Sequence, residues 1–249
     1  HFREPGGEHK ETIQTGTMSA ALGGIVGIFE MPNTNPLTTT PEALEHKIKR
    51  GTETAYTDFA YYFGGTFENS KNLPLWEKLD GVCGIKIFMG ASTGNLLSAT
   101  DEEVEAVVAN GNRVIAVHAE DEFLMNENKK TILKDSNDVG MHCKWRDVNS
   151  SLNATKRVVS LAKKHNRHVH VLHITTAEEM DYLRNHKDTA TVEVLPNHLT
   201  FHAPDCYEQL GTLAQQNPPI REKHHQDALW QAINDGTVDI VASDHAPHT

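Results

Sequence analysis

The sequence has no initiator methionine, only three cysteines in 249 residues, no long apolar run and no concentration of positive charge. Each absence excludes something. Cys83, Cys143 and Cys206 are widely separated, odd in number and form no C-x-x-C pair. They cannot make a disulfide framework or a thiolate metal site, and they read as reduced thiols of a cytoplasmic protein. No stretch approaches the ~20 apolar residues that a membrane-spanning helix needs, and the opening has no signal-peptide pattern, so no membrane partner is expected. A formal net charge of −11 without any basic cluster excludes a surface that tracks nucleic-acid phosphates. No G-x-G-x-x-G follows the first apolar run, which leaves a dinucleotide fold unsupported. No serine or cysteine nucleophile motif occurs either, which argues against a covalent intermediate. Internal repeats and low-complexity tracts are also missing.

What is abundant is histidine, at 16 residues, in a chain whose 38% hydrophobic and 23% charged content is ordinary for a globular protein. Short β-rich runs alternate with amphipathic stretches. The spacing predicts strands near 24–33, 58–65, 81–90, 113–120, 167–176, 189–198 and 238–248, and helices near 10–22, 41–54, 100–110, 151–165, 176–186 and 222–235. Thr100, followed by an acidic first turn and by Gly111 beyond the end, marks one helix, and "TTAEEMDYLRNH" starts in the same way. The polar stretch from Met125 to Ser150 is expected to be a mobile excursion. Most histidines are expected on solvated surfaces, "EKHHQD" around His224 and His225 among them.

Strands alternating with helices imply one parallel sheet. Lys86, His118, His173 and Asp244 each fall at the end of an apolar strand run. The residues two positions earlier (Gly84, Ala116, Val171 and Ala242) are small or apolar, as expected for positions that fill a barrel interior. Polar groups gathered at the carboxyl ends of parallel strands mark the active face of a (β/α)8 TIM barrel. The predicted strands number seven, one short of eight, and His1 would then sit at the tip of a missing first strand. The expected architecture is an α/β TIM barrel, a single catalytic domain over residues 1–249, with an open seam and two unpaired edges.

Each polar residue has a plainer reading. Lys86 in "GIKIFMG" would suit an edge strand with its amine reaching water. His118 and His173 would suit core imidazoles bonded to backbone carbonyls, and Asp244 a helix cap. Four such coincidences at equivalent strand ends are harder to accept than one site. Imidazole, carboxylate and a lysine carbamate are ligands that suit Zn2+.

"HFREPG", "MPNT", "GIKIFMGASTGN", "HAE", "HIT", "NPPIR" and "SDHAPH" follow one another along essentially the whole chain. In this order they resemble the dihydroorotase family of the metal-dependent amidohydrolases. The resemblance implies a fragment that lacks the first histidine of an H-x-H pair, the last helix and a small flanking β-sandwich. It implies one or two zinc ions: His1 and Asp244 on the more buried one, His118 and His173 on the other, and carboxylated Lys86 bridging them. Asp244 would also move the proton during hydrolysis of a cyclic amide. Arg3, Asn33 and His248 would hold a substrate carboxylate and Asn217 the ring. Surface or turn roles are the plainer readings of Arg3, Asn33 and Asn217. The implied reaction is reversible hydrolysis of dihydroorotate to N-carbamoyl-L-aspartate in pyrimidine biosynthesis, in an enzyme with a small-molecule partner that is compatible with a homodimer. Another cyclic amidase (allantoinase, hydantoinase or dihydropyrimidinase) and a non-catalytic scaffold are the alternatives.

Overall fold

The structure, a computed structural model, describes residues 1–90, 96–134 and 136–248. The "ASTGN" end of the lysine motif therefore lies outside the described residues. Seven strands form one sheet: β1 (Gly27–Glu30), β2 (Asp58–Gly64), β3 (Val82–Phe88), β4 (Ile115–His118), β5 (Val169–Val171), β6 (Ala190–Val194) and β7 (Ile240–Val241). Their order in space is their order in sequence, and every neighbouring pair is parallel. Parallel neighbours require crossover connections, which the intervening helical segments supply. Among the described residues no helix is long and apolar enough to cross a membrane.

The strands alternate cleanly between two cores. Ile85, Ile87, Ile115, Val117, Val169, Val171, Val192 and Val194 face outward into one cluster with Val104, Val107, Val158, Leu183 and Leu229 of the surrounding helices. Met31, Tyr62, Ala116 and Leu172 form a second cluster on the inner face. Because this inner face curls, β1 and β7 both line one cavity of about 490 Å³, together with His170, Thr191 and Glu193. The sheet is thus a barrel with a side open between β1 and β7, where Val26, Phe29 and Val241 are exposed.

The expected inner positions Gly84, Ala116 and Ala242 agree with this arrangement: a side chain on Gly84 would strike the inward Tyr62 ring, Ala116 is in the inner cluster, and Ala242 lines the cavity. Val171 does not agree. It packs outward, and the inner face of β5 carries His170 instead. The strand stops at Val171 and His173 takes φ 38°, so strict alternation does not carry back from His173 into β5.

Helix starts follow the expected chemistry. The Thr100 and Thr176 hydroxyls accept from the backbone N–H groups of Glu103 and Glu179, and Glu103 reaches back to the Thr100 N–H. Two expectations need correction. The stretch after Met125 is not an open excursion: it contains the helices Glu122–Ile132 and His142–Trp145, and Val148–Lys164 begins within it. The side chain of Asp121 accepts from the N–H groups of Phe123 and Leu124 and from Asn153, which anchors the first of these helices to the third. His225 is not a solvated neighbour of His224. It is buried, and its Nδ1 accepts from the Ala177 N–H at 3.0 Å, which caps the helix Ala177–Arg184.

Candidate active site

At the carboxyl end of the barrel the histidines and Asp244 come together in two pairs. His118 Nδ1 lies 3.1 Å from His173 Nε2, and His1 Nε2 lies 3.3 Å from Asp244 Oδ1. Two nitrogens bound tetrahedrally to one zinc ion, each about 2.0–2.1 Å from it, would be separated by roughly 3.3 Å. Both pairs are therefore spaced like two ligands of a shared ion. Among the described residues no three His, Cys, Asp or Glu side chains close on a common point, so the pairs remain distinct.

Backbone geometry singles out the same positions. Only four described non-glycine residues have positive φ, and Arg3 (64°), His173 (38°) and Asp244 (44°) are three of them, Asn166 being the fourth. Left-handed backbone costs an ordinary residue roughly 1–3 kcal/mol and concentrates at functional sites. His173 and Asp244 accept that cost in order to turn their side chains off the strand ends.

The His118 ring is fixed from behind. Its Nε2 lies 2.7 Å from Glu120 Oε2, and Arg146 makes a short ion pair with the same oxygen. Glu120 is fully buried, yet the Arg146 guanidinium and His118 overcome that burial and hold its carboxyl down at about 2. An ionised carboxylate only accepts, so the Nε2 of neutral His118 must carry the proton and Nδ1 must present its lone pair to His173. Burial lowers the pKa of both imidazoles, most strongly His173, so both are neutral near pH 7. His173 Nδ1 is buried and has no hydrogen-bond partner among the described residues. Two neutral imidazoles with converging nitrogens, one of them oriented from behind by a carboxylate, are a donor set that fits a zinc-like ion.

Below them, Glu193 accepts from the His173 N–H at 3.2 Å and contacts His170 Nε2 at 3.1 Å, while His170 Nδ1 meets Thr191 Oγ1 at 2.9 Å. This buried network supports the His173 turn. Glu120, Arg146, His170 and Glu193 were not among the residues expected to build the site. The period-two placement of His170, Thr191 and Glu193 on inner strand positions was the available signal.

Lys86 is buried, 2% exposed, with its ammonium 4.4 Å from the centre of the Phe88 ring. Burial pulls its pKa from 10.5 to about 8, against the opposing fields of Asp244 and Glu193. A substantial fraction is therefore neutral amine near pH 7.5, the form able to react with CO2. The native state releases this proton near pH 8, whereas the unfolded chain holds it to 10.5. Stability is thus reduced fully below pH 8, and the penalty disappears as pH rises to 10.5. Lys86→Met is expected to stabilise the metal-free protein by about 3 kcal/mol at pH 7 and roughly half that at pH 9.5. Urea unfolding at the two pH values checks this; equal stabilities at pH 7 would show that the amine is not desolvated.

Of the remaining expected residues, Asn33, Arg3 and His248 lie on the side of His1 and Asp244. Asn33 Oδ1 lies 2.7 Å from His1 Nδ1 and so braces that ring. Arg3 Nε donates to the Pro247 carbonyl at 3.2 Å, and Arg3 Nη2 meets His248 Nε2 at 2.9 Å. Asn217 is exposed and hydrogen-bonds the buried His142, and no contact joins it to the other expected site residues among the described residues.

A parallel barrel with imidazoles, a desolvated lysine and a carboxylate at its strand ends is a hydrolase fold of the amidohydrolase type. The dihydro-orotase-like family model matches residues 1–179, and the chain belongs to that family. It is 36% identical over 260 residues to a dihydroorotase of Methanosarcina acetivorans and 34% identical over 258 residues to one of Bacillus licheniformis. Both alignments cover all of this chain but 55% and 58% of those proteins, so the chain spans little more than half their length. Among solved structures, L-hydantoinase (dihydropyrimidinase) from Arthrobacter aurescens superposes with a TM-score of 0.92 at 27% identity, covering all of this chain and 56% of that one. A D-hydantoinase at 24% identity and TM-score 0.86 shares the fold.

Proposed function

We propose that this chain carries the metal centre of a dihydroorotase, which reversibly hydrolyses dihydroorotate to N-carbamoyl-L-aspartate in pyrimidine biosynthesis. The observation that carries the reading is the pair of ligand-spaced contacts, His118–His173 and His1–Asp244, flanking a desolvated Lys86. These five residues would hold zinc, two ions if Lys86 is carboxylated and bridges them. Bound there, zinc would bring the pKa of the attacking water from 15.7 toward about 7 and polarise the amide carbonyl. Asp244, half-buried and beside His1, would take the water's proton and return it to the departing ring nitrogen. Arg3, Asn33 and His248 would hold the substrate carboxylate, and Asn217 would meet the ring. A single catalytic domain over residues 1–249 and a cytoplasmic enzyme, compatible with a homodimer, belong to the same proposal.

A second reading, hydantoin or dihydropyrimidine hydrolysis, is favoured by the superposition on the L-hydantoinase. Assay of the intact protein with zinc and bicarbonate on dihydroorotate, dihydrouracil, hydantoin and allantoin separates the two. The expected result is zinc-dependent turnover of dihydroorotate that a chelator abolishes. Turnover of a neutral ring alone transfers the assignment to the second reading, and a folded protein without zinc or turnover supports a scaffold.

A further inference from the structure

Arg3 and Lys10 both point at the ring of His248. Arg3 Nη2 is 2.9 Å from its Nε2 and Lys10 Nζ is 3.3 Å from its Nδ1. Guanidinium and ammonium groups only donate, while a neutral imidazole has one accepting nitrogen. His248 can therefore satisfy only one of the two cations, and the other faces an N–H. Protonation would make the conflict worse, and burial together with the charges of Arg3 and Lys10 keeps the ring's pKa low.

Neighbouring carboxylates do not resolve the conflict. Glu8 accepts from the Gly6 N–H, Glu11 engages His245 and Asp244 engages His1. Two cations and an imidazole therefore converge beside the candidate metal ligands. Arg3 lies in the fields of Glu30, Asp244 and Glu11, but among the described residues those carboxylates pair with Lys47, His1 and His245 rather than with either cation. Arg3 follows His1 by two residues and takes the left-handed backbone conformation that brings it there, and His248 follows Asp244 by four.

We infer that Lys10 completes an anion subsite with Arg3 and His248 and sets the preference for a ring bearing an exocyclic carboxylate over a neutral ring. The inference rests on the dihydroorotase reading and adds Lys10 to it. The bound carboxylate would accept from the cation that His248 leaves unsatisfied, which removes the donor conflict.

The test is equilibrium binding to the intact zinc-loaded protein of two probes, N-carbamoyl-L-aspartate and N-carbamoyl-β-alanine, which lacks the extra carboxylate. Loss of one charge-assisted hydrogen bond at a partly exposed site is expected to weaken binding of the first probe roughly tenfold in Lys10→Met. Binding of the second should stay within about twofold, and Lys10→Arg should restore most of the difference. Circular dichroism and zinc content show whether each variant is folded. If Lys10→Met keeps the wild-type preference, or weakens both probes equally, Lys10 is not part of the subsite although the wider reading stands. If the wild-type protein does not distinguish the probes, the dihydroorotase reading fails and this inference with it.

Discussion

Asp244→Asn is expected to lower turnover of dihydroorotate by at least about 10³-fold, because an amide can neither take the water's proton nor return it. The substitution is isosteric, and asparagine is among the residues that best tolerate positive φ, so the 44° backbone at this position should persist. With His1 Nδ1 donating to Asn33, the amide N–H of the new side chain can donate to the lone pair of His1 Nε2. The unfolding midpoint should therefore move little while the rate collapses, and initial rates with parallel urea melts test both halves. A variant within tenfold of wild type would remove Asp244 from proton transfer.

The second large effect is expected at Glu120. Glu120→Gln removes the charge that fixes the His118 tautomer and breaks the buried Arg146–Glu120 ion pair. Zinc affinity, measured by competition with a chromophoric chelator, should fall about 10–100-fold. Breaking one side of a buried ion pair should also cost about 3–5 kcal/mol of stability. The pH dependence gives an independent readout. Arg146 and His118 depress the Glu120 carboxyl from 4.5 to about 2, so its contribution is present above pH 4.5 and lost as pH falls toward 2. The variant should lack that part of the acid-induced loss. Unchanged zinc affinity in a folded variant would show that His118 holds its orientation without Glu120.

The barrel was legible in the sequence because its outer core is a set of β-branched runs that the helices cover, and Thr100 and Thr176 mark helix starts through local hydrogen bonds. The strand-end residues His118 and Lys86 were legible for the same reason: each interrupts an apolar run. What escaped detection depends on long-range partners. Arg146 sits in a polar stretch whose order comes from Asp121 and from contacts to neighbouring helices, so nothing local announces that its guanidinium is buried against Glu120. His225 reads as a surface residue until the Ala177 N–H, 48 positions away, is placed on its ring. A period-two count places Val171 on the inner face because the turn at His173 is invisible to it. Lys10 lies in a polar segment and acquires meaning only when His248 arrives, 238 positions later.

That separation has a kinetic consequence. His1 meets Asp244, Phe2 packs edge-on against His245, and Arg3 reaches Pro247 and His248, so this rim is stitched across nearly the whole described sequence. Contacts of such range close a loop at high entropic expense and are expected among the last to form. His118 and His173, 55 positions apart on nearby strands, can assemble earlier. Ion capture by the His1–Asp244 pair would then report that folding is complete rather than seed it, and a zinc-release time course should lead global unfolding at that rim.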